Sequence, residues 1–217
     1  MSNRCRTLAT KTGVHNLLVL LPLAVLAACT TDTTTPVFAY VAETVTEPQF
    51  AQFASGLALA LPSPADLGRS VEAAQMLSAR YDSQTFLFEG RISIAPERLV
   101  LVGVDGMGRR AMTATWDGRS LAIESAPWLP ASVRPGSMLA DIILLYWPEP
   151  VVRKALAPAG CTLLATAKSR KVRCGNDTVL IAKYDWPAGA RWDGTLQYSN
   201  LAWGYAIEAQ SKEIRSQ

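Results

Sequence analysis

Histidine is all but missing from this chain. His15 is the only one, and it falls within the first 28 residues. Beyond them no imidazole is available as general base for a Ser-His-Asp or Cys-His arrangement, or to complete most zinc sites. An excess of charge is missing as well. Of the 21 Lys and Arg residues, Arg4, Arg6 and Lys11 lie in the first 28, which hold no acid, so 18 basic side chains then face 18 acidic ones. The basic balance of the whole chain belongs to its first residues, and no surplus positive charge remains to bind nucleic acid. Long apolar runs are also absent. The run from Leu17 to Ala28 is interrupted by Pro22 and is shorter than the roughly 20 residues a spanning helix needs.

What stands at the start is a basic segment, a short apolar segment and the stretch Leu26-Ala27-Ala28-Cys29. That layout is a secretory signal peptide over residues 1–28. The final tetrapeptide resembles the bacterial lipobox, in which the cysteine is lipidated and becomes the first residue after cleavage. The resemblance makes Cys29 the lipid attachment point, and several acyl chains on one residue anchor stably where a single chain does not. Thr30 follows Cys29, and Asp32 comes only later. In enterobacterial lipoproteins an aspartate directly after the cysteine retains the protein at the inner membrane, so the resemblance implies a periplasm-facing lipoprotein of the outer membrane. Residues 29–48, rich in Thr, Pro and Glu, read as a tether, and residues 49–217 as one domain.

Two cysteines remain, Cys161 and Cys174. In an oxidising compartment an even pair reads as a disulfide. The segment between them looks like two strands around a polar turn near Ala167 to Arg170, which places the cysteines roughly opposite each other. Two free buried thiols are the alternative. No metal site is expected, since two cysteines without histidine do not close a tetrahedral zinc site.

Residues Phe50 to Leu61 are apolar and rich in alanine, compatible with a short helix or an edge strand. "EAAQMLSAR" is ambiguous too, because Ala, Gln, Met and Leu favour helix. In "TFLFEGRISI" the alternation is clear: Phe86, Phe88, Ile92 and Ile94 share one face. "APER", "DGMG" and Asp117-Gly118 then punctuate further apolar runs, which predicts an antiparallel meander. "MLADIILLYW" follows without a breaker up to Pro148. Met138, Leu139, Ile142, Leu145 and Tyr146 recur at helical spacing, Asp141 is the main polar exception, and Ser137 is a candidate N-cap. "EPVVRKALAP" suggests a second helix, so a helical insertion is expected at about 135–157. Strands resume at about Thr162 to Thr166, Lys171 to Cys174, Thr178 to Tyr184, Thr195 to Ser199 and Trp203 to Ala209.

Motifs for chemistry are scarce. "GVDGMG" superficially resembles a phosphate loop, but it lacks the Gly-Lys-Ser/Thr ending and leads into a strand. The carboxylates are scattered among turns and polar faces, so no catalytic residue and no cofactor is expected. The basic run Lys168 to Arg173 reads as a solvated hairpin tip. The helix is apolar on most sides and must be covered on most sides. One arrangement that achieves this is insertion into the concave face of a curved sheet, whose apolar walls can also contain acyl chains.

The stretches "LGRSVEAAQML", "GVDGMGRRAMT", "SMLADIILLYWPEPVVRKAL" and "NLAWGYAIE" resemble a family of uncharacterised bacterial lipoproteins encoded beside aryl polyene and related fatty-acid-synthase-like gene clusters. The positions that carry the likeness include Gln75, Gly106, Gly108, Arg109, Leu139, Asp141, Trp147, Pro148, Asn200, Gly204 and Tyr205. The resemblance implies a LolA/LolB-like fold: mainly β with α, a curved, incompletely closed antiparallel barrel with a helical plug or lid. The membrane anchor makes the chain more similar to LolB than to the soluble LolA. The function implied is binding or transfer of a hydrophobic ligand at the outer membrane, an aryl-polyene-type lipid or a lipoprotein, with a periplasmic carrier or export machinery as partner. Phe86, Phe88, Trp116, Met138, Leu139, Ile142, Leu145, Tyr146, Trp147 and Tyr205 are the expected cavity and lid residues. The rival expectation is a non-catalytic structural lipoprotein that tethers a biosynthetic or export partner.

Overall fold

The computed structural model describes residues 41–45, for which the backbone alone is considered, and 50–214. In chain order these residues form β1 (Val41–Val45), β2 (Phe50–Ala54), β3 (Leu57–Ala60), β4 (Val71–Tyr81), β5 (Gln84–Ala95), β6 (Arg98–Asp105), β7 (Arg110–Trp116) and β8 (Leu121–Ser125). Two helices follow, α1 (Pro135–Tyr146) and α2 (Glu149–Leu156), and then β9 (Cys161–Thr166), β10 (Ser169–Cys174), β11 (Asp177–Asp185), β12 (Gly194–Asn200) and β13 (Tyr205–Glu213). The signal segment, Cys29 and most of the expected tether lie outside the described residues. The last part of the span read as tether is a strand: β1 pairs with β8, from Val41 opposite Ser125 to Val45 opposite Leu121.

Eleven strands make one antiparallel sheet in the order β1-β8-β7-β6-β5-β4-β13-β12-β11-β10-β9, and β2 and β3 form a separate hairpin. Every neighbour pair but two is close in sequence, as expected where short turns join antiparallel strands. The exceptions are β1 with β8 at one edge and β4 with β13, which joins the first half of the sheet to the second. The two ends, β1 and β9, do not meet, so the sheet is not closed into a barrel. The ambiguous "EAAQMLSAR" lies in β4. Its helix-favouring composition is overridden by pairing on both sides and by alternation that turns Val71, Ala73, Gln75 and Leu77 inward. Close approach helps here: a Cβ on Gly90 of β5 would lie 3.0 Å from Leu77 Cδ1.

α1 is buried on nearly every side; Leu139, Ala140, Ile143 and Leu144 are fully enclosed. Side chains from β4, β10, β11, β12 and β13 hydrogen-bond to it, and β7 and β8 pack against it. One helix reached by both halves of a sheet requires that the sheet curl around it. The β2–β3 hairpin covers the remaining side, with Phe53 fully buried. Asn200 Nδ2 donates to Phe53 O at 2.8 Å and Trp116 Nε1 to Pro62 O at 2.8 Å, which tie this flap to the sheet. Ser137 is not the N-cap of α1. The cap is Arg134, whose side chain caps nothing, because the helix starts earlier, at Pro135, a residue suited to a first helical position.

Cys161 and Cys174 are bonded, and they face each other across β9 and β10. The turn before β10 ends earlier than expected, so Arg170 is inside the strand. With Val172 it points inward and is buried, a correction to the solvated hairpin tip.

Candidate functional site

The two ends of α1 are held very differently. At its C-terminal end, Pro148 stops the helix and leaves carbonyls without intrahelical donors. Arg170 supplies donors to two of them, Leu144 O at 2.6 Å and Trp147 O at 2.7 Å, and places its cation where the helix dipole is negative. Tyr184 Oη donates to Leu145 O at 2.9 Å. Burial pushes the Tyr184 phenol up, so it stays a donor, and lowers the Arg170 guanidinium from its usual value. The Tyr146 ring stacks on Trp192 with centroids 3.9 Å apart, and its hydroxyl accepts from Gln75 Nε2 at 2.7 Å. Gln75 also donates to Ser211 Oγ at 2.8 Å.

Midway along α1, Asp141 is almost completely buried. Its Oδ2 accepts from Tyr198 Oη at 3.2 Å and from Tyr205 Oη, while Oδ1 has no partner among the described residues. Asn200 extends the cluster: Nδ2 reaches Tyr205 Oη at 3.4 Å, and Oδ1 accepts from Trp203 N at 3.0 Å across the β12–β13 turn. Desolvation pushes the carboxyl up to about 7, against the opposing hydrogen bonds from the two tyrosines and the nearby Asn200 amide. Both tyrosines are held well above their ordinary value by burial and by the neighbouring carboxyl. The group is a buried polar junction between helix and sheet.

The N-terminal end of α1 borders a cavity of about 190 Å³. The walls are almost wholly apolar. Phe86 and Phe88 come from β5, Met112 from β7, Met138 from α1, and Tyr205 and Ile207 from β13. The segment between β8 and α1 supplies the rest of the rim, including Trp128 and Arg134, and Trp203 closes it from the β12–β13 turn. The Arg109 guanidinium lies 4.7 Å from the Trp128 ring centre, and that of Arg134 lies 4.0 Å from the Trp203 ring centre. Gly103 keeps one wall thin, since a Cβ there would approach Met112 Cγ to 3.0 Å.

Of the expected cavity residues, the structure brings Phe86, Phe88, Met138 and Tyr205 to this space. Trp116, Leu139, Ile142, Leu145, Tyr146 and Trp147 are instead in the packed core. Helical periodicity identified α1 but not which half borders space, because a helix buried all round has no single apolar stripe. Arg170 was missed, although period two from the inward Val172 marks it. Trp128 and Arg134 come from a segment whose Pro and Gly residues give no register, and Ser137, expected as the N-cap, instead lies in the first turn of α1 and lines the cavity. Among the described residues no group of three or more His, Cys, Asp or Glu side chains could hold a metal ion, and no helix is long and apolar enough to cross a membrane.

No curated protein matches the chain. The model of the family described as "Protein of unknown function (DUF3261)" matches residues 72–213, which run from β4 to the end of β13 and contain both helices, the Asp141 cluster and the cavity walls. The chain belongs to the DUF3261 family.

Proposed function

We propose that this protein is a non-catalytic lipoprotein, anchored through Cys29 at the outer membrane and facing the periplasm, that binds and hands on a hydrophobic lipid-like ligand. The ligand class is an aryl-polyene-type lipid or the acyl portion of a lipoprotein, received from or passed to a periplasmic carrier or export partner. The fold reading that goes with it is LolA/LolB-like, with α1 as the plug of an open, curled sheet. The observation that carries the proposal is the apolar cavity at the N-terminal end of α1. Its size is a little above the ~150 Å³ hole that holds a benzene in an engineered core, and below the roughly 300–1,000 Å³ of most ligand pockets. It therefore fits one aromatic ring or a short stretch of chain as it stands. A longer ligand requires the β8–α1 segment and the first turns of α1 to move.

The test is native mass spectrometry of the full chain extracted from membranes. Wild-type protein should carry one lipid-like molecule beyond its anchor. Met138→Trp, which fills the cavity, should lose it while melting at the same temperature. Wild-type protein that stays empty after exposure to membrane extract overturns the reading. The well-packed core around the C-terminal half of α1 favours the rival, a structural tether; in-cell crosslinking that yields a stable protein partner and no lipid decides for it.

A further inference from the structure

The cavity's size limits what apolar contact alone can achieve. Room for about six methylenes, set against the cost of association, gives no better than a millimolar-class ligand. Selective binding needs a polar contact, and the only cation among the described residues that line this cavity is Arg134. Arg134 has no carboxylate partner among the described residues; its guanidinium rests on the Trp203 ring. Trp203 Nε1 is buried and has no acceptor among the described residues. Ser137 is 6% exposed, lines the cavity, and has no hydrogen-bond partner for its hydroxyl among the described residues. Ser137 also stands in the first turn of α1, where no side chain caps the free N–H groups and no acidic residue balances the positive end of the dipole. The one carboxylate in the lining, Asp105, is already occupied by Arg109 through Nε at 2.8 Å and through the backbone N–H at 2.9 Å. A guanidinium and an indole N–H donate only, and a hydroxyl can donate. An apolar cavity that offers a cation without a carboxylate partner and a free hydroxyl at a helix N-terminus complements an acceptor that carries negative charge.

Resting on the lipid-binding reading above, we propose that the ligand is an acidic amphiphile. Its slim apolar tail lies between Phe86, Met112 and Met138, and its anionic head, a carboxylate or a phosphate, meets Arg134 and Ser137 at the start of α1, beside the Trp203 ring. Arg134 sets the preference for charge, and the walls set the tolerance for tail shape.

The probe is a diazirine-bearing decanoic acid, applied to the full chain in membrane vesicles, with adducts mapped by peptide mass spectrometry. A matched diazirine decanol is run beside it. Labelling by the acid is expected on the peptides that carry Phe86, Met112 or Met138. Competition by decanoic acid or decyl phosphate should be about tenfold stronger than by decanol, the step one charge-assisted hydrogen bond supplies. The stronger of the two acids identifies the head. Arg134→Ala should lower labelling by the acid about tenfold and leave labelling by the alcohol unchanged, and Arg134→Lys should restore part of it. The unchanged alcohol signal guards against simple misfolding. Equal labelling by acid and alcohol, with Arg134→Ala affecting neither, overturns the acidic-head proposal and leaves the lipid-binding reading standing. Absence of cavity labelling by either probe overturns both.

Discussion

Asp141 sits where an ionised carboxylate is costly, and its two tyrosine donors offset only part of that cost. The consequence is a stability that depends on pH in an unusual direction. Below the ordinary carboxyl value of 3.8 the group is protonated in both folded and unfolded chains. Between there and about 7 the unfolded chain is ionised and the folded one is not, so folding takes up a proton and stability falls as pH rises. Above about 7 the burial penalty is felt in full, roughly 4 kcal/mol in all. Tyr198 and Tyr205 titrate far above this window. Asp105 and Asp117 are held low, chiefly by the backbone N–H groups of Arg109 and Ser120, and act oppositely only at lower pH. Asp141→Asn should flatten the slope between pH 4 and 7 in urea-melt series; an unchanged slope means the carboxyl is not the source. Arg170→Ala strips donors from two buried carbonyls and should cost about 3 kcal/mol in the same assay. Arg170→Lys should recover only part of this, because an ammonium does not reproduce the planar fork that spans Leu144 O and Trp147 O.

At the scale of elements, α1 has one fixed end and one lightly held end. Amide hydrogen exchange should be slowest at Ile143 to Tyr146, where β4, β10 and β11 grip the helix, and faster from residue 126 through Met138. Uniform protection along the helix would contradict this. The Cys161–Cys174 bond staples the edge strand β9 to β10. With 13 residues of separation, its reduction should lower stability by about 3 kcal/mol on the loop-entropy scale. How much of this was legible follows from range. Asp117-Gly118 and the cysteine spacing carry their information locally, so the turn and the bond could be read. The conformation of β4 depends on β5 and β13, and Phe50 to Leu61 on α1, which no local pattern reports. Asp141 stood out as the polar exception in an apolar run, but its partners Tyr198 and Tyr205 become neighbours only once β12 and β13 fold over the helix.

For the whole molecule, the β4–β13 pair is the seam on which the sheet depends, since it joins strands from nearly opposite ends of the domain. The cavity also exists only after this seam forms: Phe86 and Phe88 lie on one side of it and Tyr205 and Ile207 on the other. That is why its walls could be read only in part from the sequence, where they are four separated segments. A polar replacement in the seam's buried face, Leu77→Asn, should cost about 3 kcal/mol or more and abolish cavity labelling together with the fold, as denaturant melts and the photoprobe would both record. The remaining feature is the first strand. β1 fastens the start of the domain beside β8, and β8 leads straight into the segment that rims the cavity. From the anchor proposed at Cys29 to Val41, fully extended chain at ~3.3–3.6 Å per residue reaches at most about 40 Å. An anchor at Cys29, as proposed, would be a short leash fastened near the mouth of the cavity: the cavity would search only a thin shell above the bilayer, and a ligand would have to be brought to it.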